Sequence, residues 1–379
     1  MKGQKIKYIG FYCPPDSPIK RSCSLAAVTK MTYIIQALKN AGADVEIVSP
    51  AWITEKPTVK QLSSKNDKKI VYPPSIYTSS RILRHILMWF SLLWLFFYLI
   101  FHIKKDDFVI VYHSMYLVRI ITWLKKLKKF DLILEVEEIY SDVSHYSRLK
   151  TKREFDLFKL ADKYLFSTEL LNIKLNKENK PFAINYGTYQ VEDICETPLN
   201  DGRIHVVYAG TFDLHKGGAK TAVLAGQFLD ERYHLHILGF GSKDETECIL
   251  SLINEVSTKT SARITYDGCL RGDEYKKFIQ RCHIGLSTQI PDAKFNDTSF
   301  PSKVLSYLSN GLRVVSVKIP VLTASRINDL LYYYEDSTPQ SIADTIKSID
   351  LSSSFSSRER LRELDEDFIS TIQEWIRKS

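Results

Sequence analysis

Paired cysteines are missing from this 379-residue sequence. Its six, Cys13, Cys23, Cys195, Cys248, Cys269 and Cys282, are scattered, with no CxxC pair and no histidine companion at metal-ligand spacing. That speaks against a disulfide framework or a cysteine-based metal module and reads as reduced thiols. A secretory leader is missing too: MKGQKIKYIGFYC is a basic lead into a strand, without the long apolar region and small-residue cleavage site of a signal peptide, so a cytoplasmic protein is expected. No short repeat and no low-complexity tract appears, although Ser352–Ser357 is serine-rich enough for a loop. There is no Walker loop, no GxGxxG and no recognised nucleic-acid motif, and nucleic acid is not an expected partner.

What is present has the composition of a globular protein, 44% apolar and 25% charged, and is long enough for two domains. The formal charge of +8 favours anionic partners without choosing among nucleotide, phosphate, nucleic acid and an acidic membrane surface. The oligomeric state is not legible.

One run stands out. Ile86 to Phe101, ILMWFSLLWLFFYLIF, is apolar except for Ser91 and is flanked by Arg81, Arg84 and His85 before it and His102, Lys104 and Lys105 after it. It falls short of the roughly 20 residues of a comfortable span. A span would also divide strands that belong to one sheet. The expected element is a helix over 82–103, either buried in the domain or lying in a membrane interface, and its aromatic content favours the interface. Arg119 to Lys129, RIITWLKKLKK, adds an apolar face with one tryptophan and five basic residues, suited to anionic head groups. Its simpler reading is a solvated helix face.

Strand and helix signals alternate along the whole chain, the pattern of parallel sheets with helices on both faces. The first half reads as strands at Ile6–Tyr12, Val45–Val48, Phe108–Tyr112, Leu132–Val136, Tyr164–Ser167 and Phe182–Asn185, with a helix at Ser24–Asn40. Gly187–Arg203 has neither periodicity. The second half gives strands at Ile204–Ala209, Leu235–Leu238, Arg263–Tyr266, Ile284–Leu286, Val314–Val317 and Leu330–Tyr333. The expected fold class is α/β, with doubly wound domains over 1–190 and 204–356, a linker at 191–203 and a helix over 357–379 that bridges back.

The most informative segment is Phe300–Ser316, FPSKVLSYLSNGLRVVS. Pro301 suits the first turn of a helix, Ser302 and Lys303 lie where free N–H donors point outward, and Asn310-Gly311 supplies a left-handed stop before a β-branched strand. A phosphate fits such an end. An ordinary helix–strand unit is the plainer reading. A second phosphate signal lies in VVYAGTFDLHKGGAKTAVLAG, where Gly210-Thr211 ends a strand and Lys216-Gly217-Gly218 precedes a helix. Gly239 and Gly241 mark a further strand end, and Asp267-Gly268 another. All of these fall on the carboxyl edge of one sheet, where doubly wound folds bind ligands.

With those residues in view, the second half resembles the nucleotide-sugar domain of glycosyltransferases of the GT-B fold, two Rossmann-like domains facing across a cleft. The likeness is to the retaining group usually numbered family four, especially bacterial polysaccharide enzymes with the order FPSK, helix, Gly, strand. It covers Ile204–Val317 well and the first half loosely. The resemblance implies that Lys216 pairs with the donor diphosphate, with Gly210 and Thr211 beside it. It places Ser302 and Lys303 on the distal phosphate, and Gly239 and Gly241 near the base. In the first domain it sets His113, at the end of VIVYHS, beside the sugar. Among Glu135, Glu137 and Glu138, Glu138 is the choice for an acceptor contact; a loop histidine and a structural acid are the alternatives.

Two departures from that group stand out. Its Glu, seven residues, Glu pair is absent: Thr298 and Ser306 occupy those positions, and Ser306 can bond a ribose only without charge. PPDSPIKRSCS replaces the Gly-Gly pair of the first loop. The resemblance implies a hexosyltransferase-like enzyme, with neither cofactor nor metal, that moves a sugar from a nucleoside-diphosphate donor to a polyprenyl-linked or nascent surface glycan with retention. It would work in the cytoplasm, peripherally on the inner face of the cell membrane. The alternatives are a catalytically silent partner subunit and a nucleotide-sugar epimerase of the same fold.

Overall fold

The computed structural model describes residues 4–58, 69–214, 217–289 and 298–377. It divides into two compact units, one of Met1–Thr188 with Glu366–Ser379, the other Tyr189–Asp365.

The first unit carries seven parallel strands: β1 (Lys5–Ile9), β2 (Asp44–Val48), β3 (Ile70–Val71), β4 (Phe108–Tyr112), β5 (Asp131–Val136), β6 (Lys163–Phe166) and β7 (Phe182–Ile184). Their order is β3-β2-β1-β4-β5-β6-β7, with the reversal between β1 and β4 that marks a doubly wound sheet. Strands β4 and β5 are buried almost throughout, which explains their near-continuous Val, Ile and Leu runs. The two-residue strand β3 is too short to leave a pattern in the sequence.

The apolar run forms a helix over Arg81–His102. It is long and apolar enough to cross a membrane by composition alone, yet β1 pairs on one side with β2 and on the other with β4, so the chain before and after it shares one sheet. One face, Met88, Ser91, Leu92, Leu95 and Leu99, is buried in the unit. Ser91 is explained by that packing, since its hydroxyl donates to the Pro50 carbonyl at 2.6 Å. The other face, with Ile86, Trp89, Phe90, Leu93, Phe97 and Phe101, is exposed, Trp89 at 63% and Phe101 at 78%. The helix Val118–Lys128 packs beside it and exposes Trp123 and Leu127. Of its basic residues, Lys125 is drawn inward, donating to Asp162 and to the Phe130 carbonyl.

The second unit has six parallel strands: β8 (Ile204–Thr211), β9 (Tyr233–Phe240), β10 (Arg263–Gly268), β11 (Ile284–Ser287), β12 (Arg313–Val317) and β13 (Leu331–Tyr334). Their order, β10-β9-β8-β11-β12-β13, again reverses beside the first strand. The turn-rich segment after Gly187 is pinned to this unit by Gln280, a buried side chain that accepts from the Cys195 and Glu196 amides and donates to the Asp193 carbonyl. The last helix, Ser357–Arg377, starts in the second unit, and from Glu366 its residues belong to the first, where Phe368 stacks on Tyr33.

Candidate active site

In the second unit the site is built at the carboxyl ends of β8 and β11, the strands that flank the reversal in strand order. Tyr208 on β8 is buried, and the Lys303 ammonium sits 4.0 Å from the centre of its ring, a cation–π contact. Gly210 makes room for that ammonium: a Cβ there would lie 2.9 Å from Lys303 Nζ and 3.0 Å from the Tyr208 hydroxyl oxygen. Gly218, the first residue of the helix Gly218–Ala225, is equally bare, with a Cβ position 2.5 Å from the Thr288 carbonyl oxygen just beyond β11. Thr288 in turn donates to the Gly218 carbonyl at 2.7 Å.

Lys303 opens the helix Lys303–Ser309, and Tyr307 on that helix fixes its seat. The fully buried Tyr307 hydroxyl accepts from the Ala209 amide at 2.8 Å, and its ring lies where a Cβ on Gly285 would come within 2.4 Å. The C-terminal carbonyls of this helix are met by Arg358, which donates to Asn310 at 2.8 Å and to Ser309 at 3.3 Å. Gly311 has φ +84°, the left-handed stop expected of it.

Two of the helices that begin at this edge differ at their first turns. The helix Lys243–Ser257 has its N-terminus closed by a capping box, Ser242 bonding the Glu245 amide and Glu245 bonding the Ser242 amide. The helix Gly218–Ala225 follows Gly217 in the left-handed region, with φ +65° and no side-chain cap, and Cβ positions on Gly218 and Gly210 would both meet the Tyr208 hydroxyl, at 2.8 and 3.0 Å, so its N-terminus lies beside the strand end where Lys303 sits.

Gly210, Thr211, Gly239 and Lys303 therefore gather at one strand end. At Gly239 and Gly241, expected beside a base, the space a side chain would need is taken by the protein itself. A Cβ on Gly239 would sit 1.8 Å from the Gly210 carbonyl oxygen, and one on Gly241 would meet Glu245 and Phe212 within 3.0 Å. What these glycines present is Phe240 between them, 54% exposed, which the sequence reading passed over. Ser302 is the exposed N-cap before Lys303. The Ser306 hydroxyl is paired with the Tyr275 hydroxyl at 3.1 Å, so a ribose would have to share it. Lys216 lies outside the described residues.

The first unit holds the other expected residues. His113 is 2% exposed, its Nε2 3.5 Å from a Glu154 carboxylate oxygen and its ring against Tyr140 and Phe158. Burial pushes it down to about 3, against a backbone contact with Glu138, so its imidazole is neutral. Glu154, which the sequence did not single out, is buried and accepts from the Tyr140 and Ser141 amides. Glu138 is half-buried.

Beneath them lies Glu135, fully buried on β5 and accepting from the Tyr8 hydroxyl. Glu137 is ion-paired to Lys30 at 2.6 Å. Burial, then the Glu137 charge, push Glu135 up to about 8, with Lys30 and Tyr8 opposing. A carboxyl raised from about 4.5 to about 8 binds its proton more tightly in the folded chain, so its contribution to stability is complete below pH 4.5 and is lost as pH rises through 8. Glu135→Gln is expected to flatten the fall in denaturation midpoint between pH 5 and pH 8, as measured by urea unfolding at a series of pH values.

Two parallel sheets, each reversing its strand order beside its first strand, have the architecture of a GT-B fold. No protein-family model and no curated protein matches the sequence. Among solved structures, sucrose-phosphate synthase from Thermosynechococcus elongatus matches with a TM-score of 0.66 at 13% identity, over 99% of this chain and 98% of that one. HepE from Anabaena, in complex with UDP, matches at 0.63 and 12% identity over 99% of each chain. The lipopolysaccharide outer core galactosyltransferase WaaB, in its apo form, matches at 0.61 and 16% identity, over 99% and 98%. At these identities the likeness establishes the fold.

Proposed function

We propose that this chain is a glycosyltransferase that takes a sugar from a nucleoside-diphosphate donor and passes it, with retention of configuration, to a lipid-linked or nascent surface glycan. The observation that carries the reading is the Lys303 ammonium held over Gly210 at the carboxyl edge of the second sheet, next to an N-terminus with no side-chain cap. Lys303 and the amides after Gly217 stabilise the charge that develops on the departing diphosphate, and by resemblance Lys216 shares the task. Phe240 is the stacking platform for the base. Transfer by this route needs neither cofactor nor metal ion. UDP in the HepE complex makes uridine diphosphate sugars the first donors to try.

The proposed place of work is the inner face of a membrane. The exposed ridge Ile86, Trp89, Phe90, Leu93, Phe97 and Phe101, next to Trp123 and the basic Lys126, Lys128 and Lys129, suits a helix lying in the interface of an anionic bilayer. The triple variant Trp89→Ser, Phe97→Ser, Trp123→Ser is expected to stay in the soluble fraction when wild type floats with anionic liposomes. Charge reversal at Lys126, Lys128 and Lys129 is expected to weaken flotation in a salt-dependent way; unchanged flotation in both variants would rule out this ridge as the membrane contact, and a wild type that does not float would remove the membrane from this reading.

The reading as a transferase is tested by incubating purified protein with radiolabelled UDP-sugars and a polyprenyl-linked glycan extract. Label moving into the lipid phase is the expected result. Donor left intact across the common nucleotide sugars would favour a silent partner subunit.

A further inference from the structure

We infer that His205, His234 and His236 form a binding site for a divalent cation of the zinc class at the amino-terminal edge of the second sheet. The three imidazoles are buried and offer ring nitrogens that all lie within 4.8 Å of one another. His205 is the second residue of β8 and His234 the second of β9, paired directly in register, and His236 follows two residues on along the same face.

The hydrogen bonds make the case more strongly than the grouping. His205 Nε2 lies 3.0 Å from an Asp201 carboxylate oxygen, and His236 Nδ1 lies 3.1 Å from one of Asp267. A carboxylate only accepts, so each of these nitrogens carries the proton. In a neutral imidazole the other nitrogen is then a bare lone pair. Those two lone pairs, on His205 Nδ1 and His236 Nε2, face each other at 2.9 Å. Two facing lone pairs in a buried site repel unless something positive stands between them, and that is either an extra proton or a metal ion. A small outward shift of the rings would admit a metal.

The surroundings suit the metal. Each facing histidine is backed by a carboxylate, the outer-shell arrangement that orients imidazole ligands and raises their basicity. Asp267 also accepts from the Thr265 hydroxyl at 2.8 Å. His234, with Nε2 3.0 Å from the Thr265 hydroxyl, completes the group. Three imidazoles with an open fourth position for water are a donor set that zinc accepts. Asp267 lies on β10, so a bound ion would tie three neighbouring strands together. It would lie about 17 Å from Gly210, five residues along β8 at the usual strand rise, too far to touch the donor.

The test uses the full chain made without a polyhistidine tag. After chelator stripping, zinc is titrated in competition with a chromophoric chelator, and the thermal midpoint is followed with and without the ion. One zinc per chain and a raised midpoint are expected, with cobalt giving the visible absorption of a nitrogen-ligated tetrahedral site. His234→Gln and His236→Gln should each lower zinc affinity by about 100-fold or more, taking removal of a direct ligand to cost at least as much as loss of an outer-shell partner. His145→Gln, at an exposed histidine, should not. Should the ligand variants fail to fold, the wild-type titration still decides. Zinc left wholly with the chelator, or a midpoint that responds to acid but not to metal, would overturn the site and leave the facing nitrogens to a shared proton.

Discussion

Lys303→Met is expected to lower donor affinity and transfer together, by about 10²- to 10³-fold in rate, the range seen when one preorganised donor to a developing charge is removed. The residue suits this test because methionine keeps its length and removes its charge. The ammonium lies over the Tyr208 ring, and methionine of similar length sets its thioether against the same ring, so the thermal midpoint should hardly move. What is lost is the ammonium, held at the strand end by the bare Gly210. A variant that folds and melts like wild type yet transfers at the wild-type rate would place the diphosphate elsewhere. Gly210→Ala is the milder companion, because its methyl group would crowd Lys303 Nζ at 2.9 Å and push the charge aside without removing it.

The largest effect on stability is expected from Gly239→Ala. Gly239 pairs with Gly210 across β8 and β9, at φ +144°, and an added Cβ would lie 1.8 Å from the Gly210 carbonyl oxygen. Backbone cannot swing away as a flexible side chain can. The strands must part at Ala209–Leu238 and Thr211–Phe240 as well, which places the cost above about 4 kcal/mol, in the rare tail of single substitutions. For a unit of this size that is a fall of about 10 °C or more in the thermal midpoint. Gly268→Ala is the control: its φ is +84° but nothing lies within 4 Å of the new methyl, so only the left-handed backbone is penalised, about 1 kcal/mol. Equal midpoints for the two variants would contradict the role assigned to Gly239.

These residues also show what could be read from the chain. The alternation of strands and helices gave the fold because each buried parallel strand is a short apolar run closed by a turn, and Phe300–Ser316 gave its helix, its Gly311 stop and β12 in order. Contacts set by register were not legible. Tyr307 reaches Ala209 across 98 residues, Gly239 is a glycine because of Gly210, and His205 meets His236 only because β8 and β9 pair as they do. Alternation alone likewise pointed to Glu138, whereas the deeply buried acids are Glu135 and Glu154. Charge counting enlisted Lys125 for a membrane face, and Asp162 holds it inside the domain.

The central claim is that a nucleoside diphosphate binds around Lys303 at the carboxyl edge of the second sheet. Hydrogen–deuterium exchange with and without UDP tests it most directly. Protection is expected in peptides covering Tyr208–Leu214 and Phe300–Ser306, with His234 and its neighbours at the far edge unchanged. No protection with UDP or any other common nucleoside diphosphate, or protection confined to the first unit, would contradict it.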